Sequence, residues 1–149
     1  MKLVLPLLVV GSALLLAPVA HAAGQATPDE AKAMAIKAAE YLKSVGPEKA
    51  FPEFSAKGGS WHDRDLYVSV QDAKGVTLAH GDSPALIGKS MLDIKDVDGK
   101  PFMREKLAIT DAGWVSYKWR NPLTQVVEPK TQYVVRVGDY IVAVGAYAR

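Results

Sequence analysis

The sequence holds 149 residues, 49% of them hydrophobic and 23% charged, with a formal net charge of +2. That supplies the core of one domain but not of two, and it gives neither the basic field that nucleic acid requires nor an acidic tail. Cysteine is absent, which excludes disulfides and thiol chemistry, and no internal repeat or low-complexity tract is visible.

Lys2 is the only charge in the first 28 residues. Residues 3–20 are almost wholly apolar, with Pro18 near their end, and Ala20, His21 and Ala22 form a small–large–small exit. A basic start, an apolar middle and an A-x-A exit are the parts of a secretory signal peptide. A retained anchor is the competing reading, because the run approaches the roughly 18 to 20 residues of a membrane span. Pro18 and the exit favour cleavage. Residues 1–22 are therefore read as a signal peptide and 23–149 as one domain, periplasmic or secreted.

Thr27, Pro28 and Glu30 mark a helix start, with a capping threonine, a proline at the first helical position and a glutamate placed for a capping box. Ala31, Met34, Ala35, Ala38, Leu42 and Val45 recur at helical spacing, and Gly46 and Pro47 end the helix. A short second helix is predicted over 48–54, and 57–60 is a loop. From Asp65 the period changes to two. Strands are predicted at 66–70 and 76–80 around a turn with Gly75 at its last place. An irregular stretch, 81–99, carries one helical turn near Pro84, and Pro101 opens a helix to about Thr110. Strands at 114–119, 130–137 and 140–147 complete the chain, the last two joined by Gly138 and Asp139 as a two-residue turn.

The class is α+β, a long N-terminal helix and a five-stranded antiparallel sheet. The helix is expected to cover one sheet face. The 81–110 segment is the only other connection long enough to roof the second, and a roofed sheet is a natural place for a small-molecule pocket.

Several motifs bear on chemistry. Gly81, Asp82 and Ser83 resemble a serine esterase block, but no histidine follows His80 to serve as base, and a turn is the better reading. Asp96, Asp98, Gly99 and Glu105 fall on calcium-loop positions, but Ile94 occupies the first ligand place, so an exposed acidic turn is expected instead. His62 and His80 have no companion at zinc-ligand spacing. No activated nucleophile or acid–base pair marks an enzyme, and no cofactor or metal is expected. The aromatic and basic residues of the last strands are more suggestive: Tyr117 and Trp119 share a face, and Lys130 and Tyr133 open the next strand. Pairing Val137 with Tyr140 sorts Tyr133, Val135, Val142 and Val144 onto one face. It puts Lys130, Gln132, Val134, Ala143, Gly145 and Tyr147 on the other. Ala143 and Gly145 leave room there, for a ligand or for a closely packed helix.

The ordered series of segments Asp63 to Val68, Leu78 to Gly81 with Gly88 and Lys89, Asp98 to Phe102, Gly113 to Val115, Tyr117 to Trp119 with Asn121 and Pro122, and Lys130 to Gly145 resembles a single Cache domain of the second type. That is the extracytoplasmic sensor module of bacterial chemoreceptors and histidine kinases. The resemblance implies a PAS-like fold and non-covalent binding of small molecules, often short carboxylates. A small organic acid is the expected ligand, with Tyr67, His80, Tyr117, Trp119, Lys130 and Tyr133 as candidate site residues and Lys130 as main charge partner. Strand parity forbids all six from facing one way without a bulge. Receptor versions continue into a second membrane helix, and this sequence ends at Arg149. Output is therefore expected through a separate membrane chemoreceptor or histidine kinase. The alternative is an envelope interaction module that kept the fold and lost the ligand. Mass spectrometry of the protein recovered from the extracytoplasmic fraction is expected to find a chain beginning at or near Ala23; an intact N-terminus in the membrane pellet would contradict the signal-peptide reading.

Overall fold

The computed structural model describes residues 24–148, so the expected signal peptide lies outside the described residues. Helix α1 (Pro28–Val45) starts as its sequence dictates. Thr27 accepts from Glu30 N at 3.1 Å and the Glu30 carboxylate accepts from Thr27 N at 2.7 Å, closing the capping box. Helix α2 (Pro47–Ser55) follows after Gly46. A two-residue strand β1 (His62–Asp63) precedes β2 (Leu66–Gln71) and β3 (Thr77–His80). A 3-10 turn (Pro84–Leu86) and α3 (Phe102–Leu107) lie in the next connection, before β4 (Ala112–Arg120), β5 (Val127–Val137) and β6 (Tyr140–Tyr147). The sheet is antiparallel with order β1-β2-β6-β5-β4, and β3 pairs on β2. It holds the five expected strands and adds β1. Among the described residues no helix is long and apolar enough to cross a membrane.

The two faces are built differently. Ala31, Ala35, Ala38, Ala39 and Leu42 of α1 bury against Leu66, Val68, Val70, Val142 and Val144, and alanine lets the helix lie close to the sheet. Phe54 of α2 is fully buried there, edge-on to Trp61 at 5.0 Å. The opposite face packs Val115, Tyr117, Val134, Ile141 and Ala143 under Met91, Phe102 and Met103 of the 81–110 connection, which is the expected roof.

Helix α3 is shorter than the 101–110 expected. The Arg136 guanidinium donates to the carbonyls of Leu107 and Ile109, both at 2.8 Å, and so takes the acceptors at the helix's C-terminal end. The acidic turn is a latch. Asp96 accepts from the backbone N–H of Asp98, Lys100 and, across to the free edge of the sheet, Lys118 at 2.9 Å. Lys100 adds a bond to the Ser116 carbonyl. These contacts close part of the β4 edge to other strands. Phe54→Ala removes a fully buried ring from the α1-side core, and denaturant melts are expected to show a loss of about 3–5 kcal/mol.

Candidate functional site

A cavity lies between the second sheet face and the roof. Tyr67, Ser69 and Gln71 reach it from alternate positions of β2, Tyr117 and Trp119 from β4, and Gln132 from β5. Leu86, Met91, Phe102, Met103 and Lys106 close it from above. Thr77 and His80 also line it although they are three apart, a spacing that puts residues of a regular strand on opposite faces. The pairing explains this. Val70 pairs with Ala79 and Gln71 with Thr77, so Leu78 is an extra residue on β3, and the bulge turns Thr77 back to the side of His80.

The formal charge of the lining is of one sign only. Lys106 is 2% exposed and donates to Gln71 Oε1 at 2.8 Å. Lys130 is also 2% exposed and stands behind the wall, donating to the hydroxyls of Tyr67 (2.7 Å) and Tyr147 (3.2 Å). Its ammonium lies 4.1 Å from the centre of the Tyr67 ring. No carboxylate is among the residues lining the cavity. Burial lowers Lys106 to about 7. Burial, reinforced by the charge of Lys106 and opposed by Asp82 and Asp65, lowers Lys130 to about 7 as well. Burial and the two lysines lower His80 to about 3, which keeps it neutral. Its Nδ1 accepts from the backbone N–H of Asp82 and Ser83, at 3.3 and 2.9 Å, so its proton belongs on Nε2 as a donor. Those bonds also make the stretch from His80 to Ser83 the turn that was expected. Thr77 Oγ1 is buried with no hydrogen-bond partner. The Tyr117 hydroxyl donates to Gln132 Oε1 at 3.2 Å, and its ring stacks on Phe102 at 4.2 Å.

Of the six residues expected from sequence, Tyr67, His80, Tyr117 and Trp119 line the cavity and Lys130 binds its wall. Tyr133 is on the other face, edge-on to Trp114 at 4.9 Å with the Lys32 ammonium 5.2 Å from its ring centre. The room beside Gly145 is filled by Lys130, since a Cβ there would overlap Lys130 Cε. Sequence reasoning passed over Lys106, yet the signal was present: Phe102, Met103 and Lys106 share one helical face, an apolar stripe carrying an ammonium. The free volume is about 20 Å³, room for about one water molecule.

These pKa values set a stability profile. An unfolded lysine holds its proton to about pH 10.4. Between about 7 and 10 the unfolded chain binds more protons than the folded one, so stability rises with pH across that window. Neutral His80 works the same way lower down, and its contribution is lost as pH falls from 6.5 toward 3.

A model of the family described as single Cache domain 2 matches residues 16–149. No curated relative matches the sequence. Among solved structures, a methyl-accepting chemotaxis protein from Vibrio parahaemolyticus RIMD 2210633 is similar at TM-score 0.68 and 21% identity, over 80% of this chain and 86% of that one. A Cache chemosensory domain, described as a structural basis for carboxylic acid recognition, is similar at TM-score 0.68 and 24% identity, over 81% and 92%. A periplasmic sensor domain of a chemotaxis protein follows at TM-score 0.61 and 20% identity, over 81% and 90%. At such identities the likeness shows the fold. Thermal melts of the unliganded protein are expected to climb between pH 7 and 9.5; a flat profile would mean that both lysines stay charged when buried.

Proposed function

The chain belongs to the single Cache domain 2 family of extracytoplasmic sensory modules, and from that premise we propose that it binds a small organic carboxylate between the sheet and the roof. The observation that carries this reading is the pair of buried amines, Lys106 and Lys130, beside a cavity lined by no carboxylate. An anion gives Lys106 the charge partner it lacks. The Nε2–H of His80 and the hydroxyl of Thr77 can donate to the same carboxylate. Phe102, Trp119, Leu86 and Met91 offer the apolar wall for a short carbon chain. The carboxylic acid recognition named for the similar Cache chemosensory domain supports the same class.

The cavity's size sets a condition on binding. Space for one water does not take an acid of two or more carbons, so the roof segment carrying Leu86, Phe102 and Lys106 moves outward on binding. The closed cavity is also what favours the alternative, an envelope interaction module without a ligand. A thermal-shift panel of formate, acetate, propionate and succinate separates the two. Ligand at a hundred times its dissociation constant adds about 2.7 kcal/mol of stability, and no shift across the panel favours the alternative.

Substitution locates the charge. A charge-assisted hydrogen bond is worth about 1.5–3 kcal/mol, so Lys106→Met is expected to weaken binding about tenfold or more by calorimetry. The same change removes a buried unpaired charge and is expected to raise the melting temperature at pH 7, which separates lost binding from lost folding. Lys130→Met is expected to weaken binding less, because Tyr67 stands between its amine and the cavity. The complex holds Lys106 protonated, so above about pH 7 binding takes up a proton and affinity falls. Calorimetry in buffers of different ionisation enthalpy reads that uptake. Equal affinity of wild type and Lys106→Met would remove this lysine from the site.

A further inference from the structure

Thr77 and Lys106 leave the cavity unbalanced. Thr77 is 0% exposed and lines the cavity, yet its hydroxyl has no hydrogen-bond partner. Lys106 Nζ, 2% exposed, reaches the Gln71 Oε1 acceptor at 2.8 Å. The ionisable groups around it are Tyr67 of β2, His80 of β3 and Tyr117 of β4 in the lining, with Lys130 of β5 behind Tyr67. Donors therefore converge on a space whose walls carry no anion.

The amine of Lys106 is also a nucleophile in waiting. An exposed lysine is protonated at neutral pH and has no lone pair to offer. Burial brings Lys106 to about 7, so about half of the folded molecules carry the free amine there at pH 7. The cavity decides which electrophile that amine can meet. Its free volume of about 20 Å³ is little more than one water occupies. An aldehyde or an oxo acid is too large unless the roof moves. Carbon dioxide is triatomic and uncharged, and it passes the apolar side chains of Leu86, Met91 and Phe102 without giving up strong hydrogen bonds to water. Once bonded to Nζ, its carbon lies inside van der Waals distance of the nitrogen, so only its oxygens need new space.

We propose that Lys106 is a modification site for dissolved carbon dioxide, its amine adding to the gas to form a carbamate enclosed in the cavity. The nitrogen lone pair forms the N–C bond, one C=O π pair moves onto oxygen, and one amine hydrogen leaves as a proton to solvent. Nothing is oxidised or reduced. The nitrogen keeps one hydrogen, which Gln71 Oε1 continues to accept. The carbamate oxygens accept from the Thr77 hydroxyl and the Nε2–H of His80, and their charge faces the Lys130 ammonium across Tyr67. Lys130 does not compete for the gas. Its amine is held by two phenols, with the ring centres 4.1 and 4.7 Å away, and it is outside the cavity lining. The reaction uses the site of the proposed carboxylate binding but needs no acid ligand. A carbamate occupies the same anion position and competes with one.

The full chain, equilibrated with isotopically labelled bicarbonate, is treated with triethyloxonium, which ethylates carbamates and fixes them for peptide mapping by mass spectrometry. Labelled ethyl carbamate is expected on Lys106, in excess over every exposed lysine. Thr77→Val removes a hydroxyl that bonds nothing in the fold, so the melting temperature in bicarbonate-free buffer is not expected to fall. The same change removes a donor to the carbamate, and labelling of Lys106 is expected to drop about tenfold or more. Bicarbonate is expected to raise the melting temperature of the wild type and to leave that of Lys106→Met unchanged. Acetate or propionate is tested in bicarbonate-free buffer, so the carboxylate reading stands or falls on its own measurement. Absence of label at Lys106 would overturn the carbamate, even where bicarbonate stabilises the fold, because bicarbonate then binds only as an ion. Label on Lys106 no greater than on exposed lysines, or label on Lys130 instead, would overturn it too.

Discussion

Two ammonium groups buried on one face of a sheet, with no carboxylate in the cavity wall, are the constraint around which this molecule is arranged. Removing a charge from water costs several kcal/mol even after the protein relaxes, and the usual remedies are neutralisation or a counter-ion. Both lysines show the first remedy in part, held near neutrality by their burial. Lys130 has further relief from two phenols and the faces of their rings. Lys106 has one amide oxygen. Such an arrangement lowers stability in the unliganded protein, and on the proposed reading an anion would convert that deficit into affinity.

The division of labour between the faces follows from this. The α1 side is tightly packed with alanine and valine, and includes Phe54 and Trp61. The roof side contains Ser69, Gln71, Thr77, Gln132 and both lysines, and its cover is a connection with one short helix and one 3-10 turn. A cover with few regular hydrogen bonds opens at lower free energy than a strand or a long helix. On the proposed reading, the part that moves for a ligand to enter is the least regular segment, while the sheet that carries the donors is held from its other side.

Local rules made much of this legible in advance. The capping box at Thr27, the small-residue stripe of α1 and the hairpin at Gly138 each follow from a few adjacent residues. The hairpin register alone sorted Lys130, Gln132 and Tyr147 from Tyr133. What stayed hidden depends on distant partners. Nothing near Leu78 announces the bulge that brings Thr77 beside His80. Helix α3 stops early because Arg136, on a strand far along the chain, takes its last carbonyls. Lys106 is not readily legible in the sequence because a lysine in a helix is normally solvated, and the facing of that helix is set by distant partners, among them Tyr117, on which Phe102 stacks. The absence of a side chain at Gly145 does make room, and the stem of Lys130 fills it rather than a helix or a ligand.

Tyr147 extends the site toward the chain ends. Its hydroxyl receives from Lys130 and donates to the Arg120 carbonyl at 2.7 Å, where β4 runs into the hairpin. Its own carbonyl accepts from the Gln25 amide at 2.7 Å, just before α1 begins. Three segments distant in sequence therefore share one phenol and its backbone. Gln25 is followed by Ala26, whose N–H is held at 2.9 Å by the buried carboxylate of Asp65. Continuity of hydrogen bonds does not by itself transmit anything, because coupling requires an element with two arrangements that a ligand distinguishes. On the proposed reading that element is the roof, with Lys106 as its point of contact with a bound anion. When the roof shifts, the charge facing Lys130 changes, because Lys106 is among the groups that depress its proton affinity. A protonated Lys130 holds both phenols as acceptors more strongly than a neutral amine does. The electrostatics of the cavity thus bear on Tyr147, and through it on the segments where the described chain begins and ends.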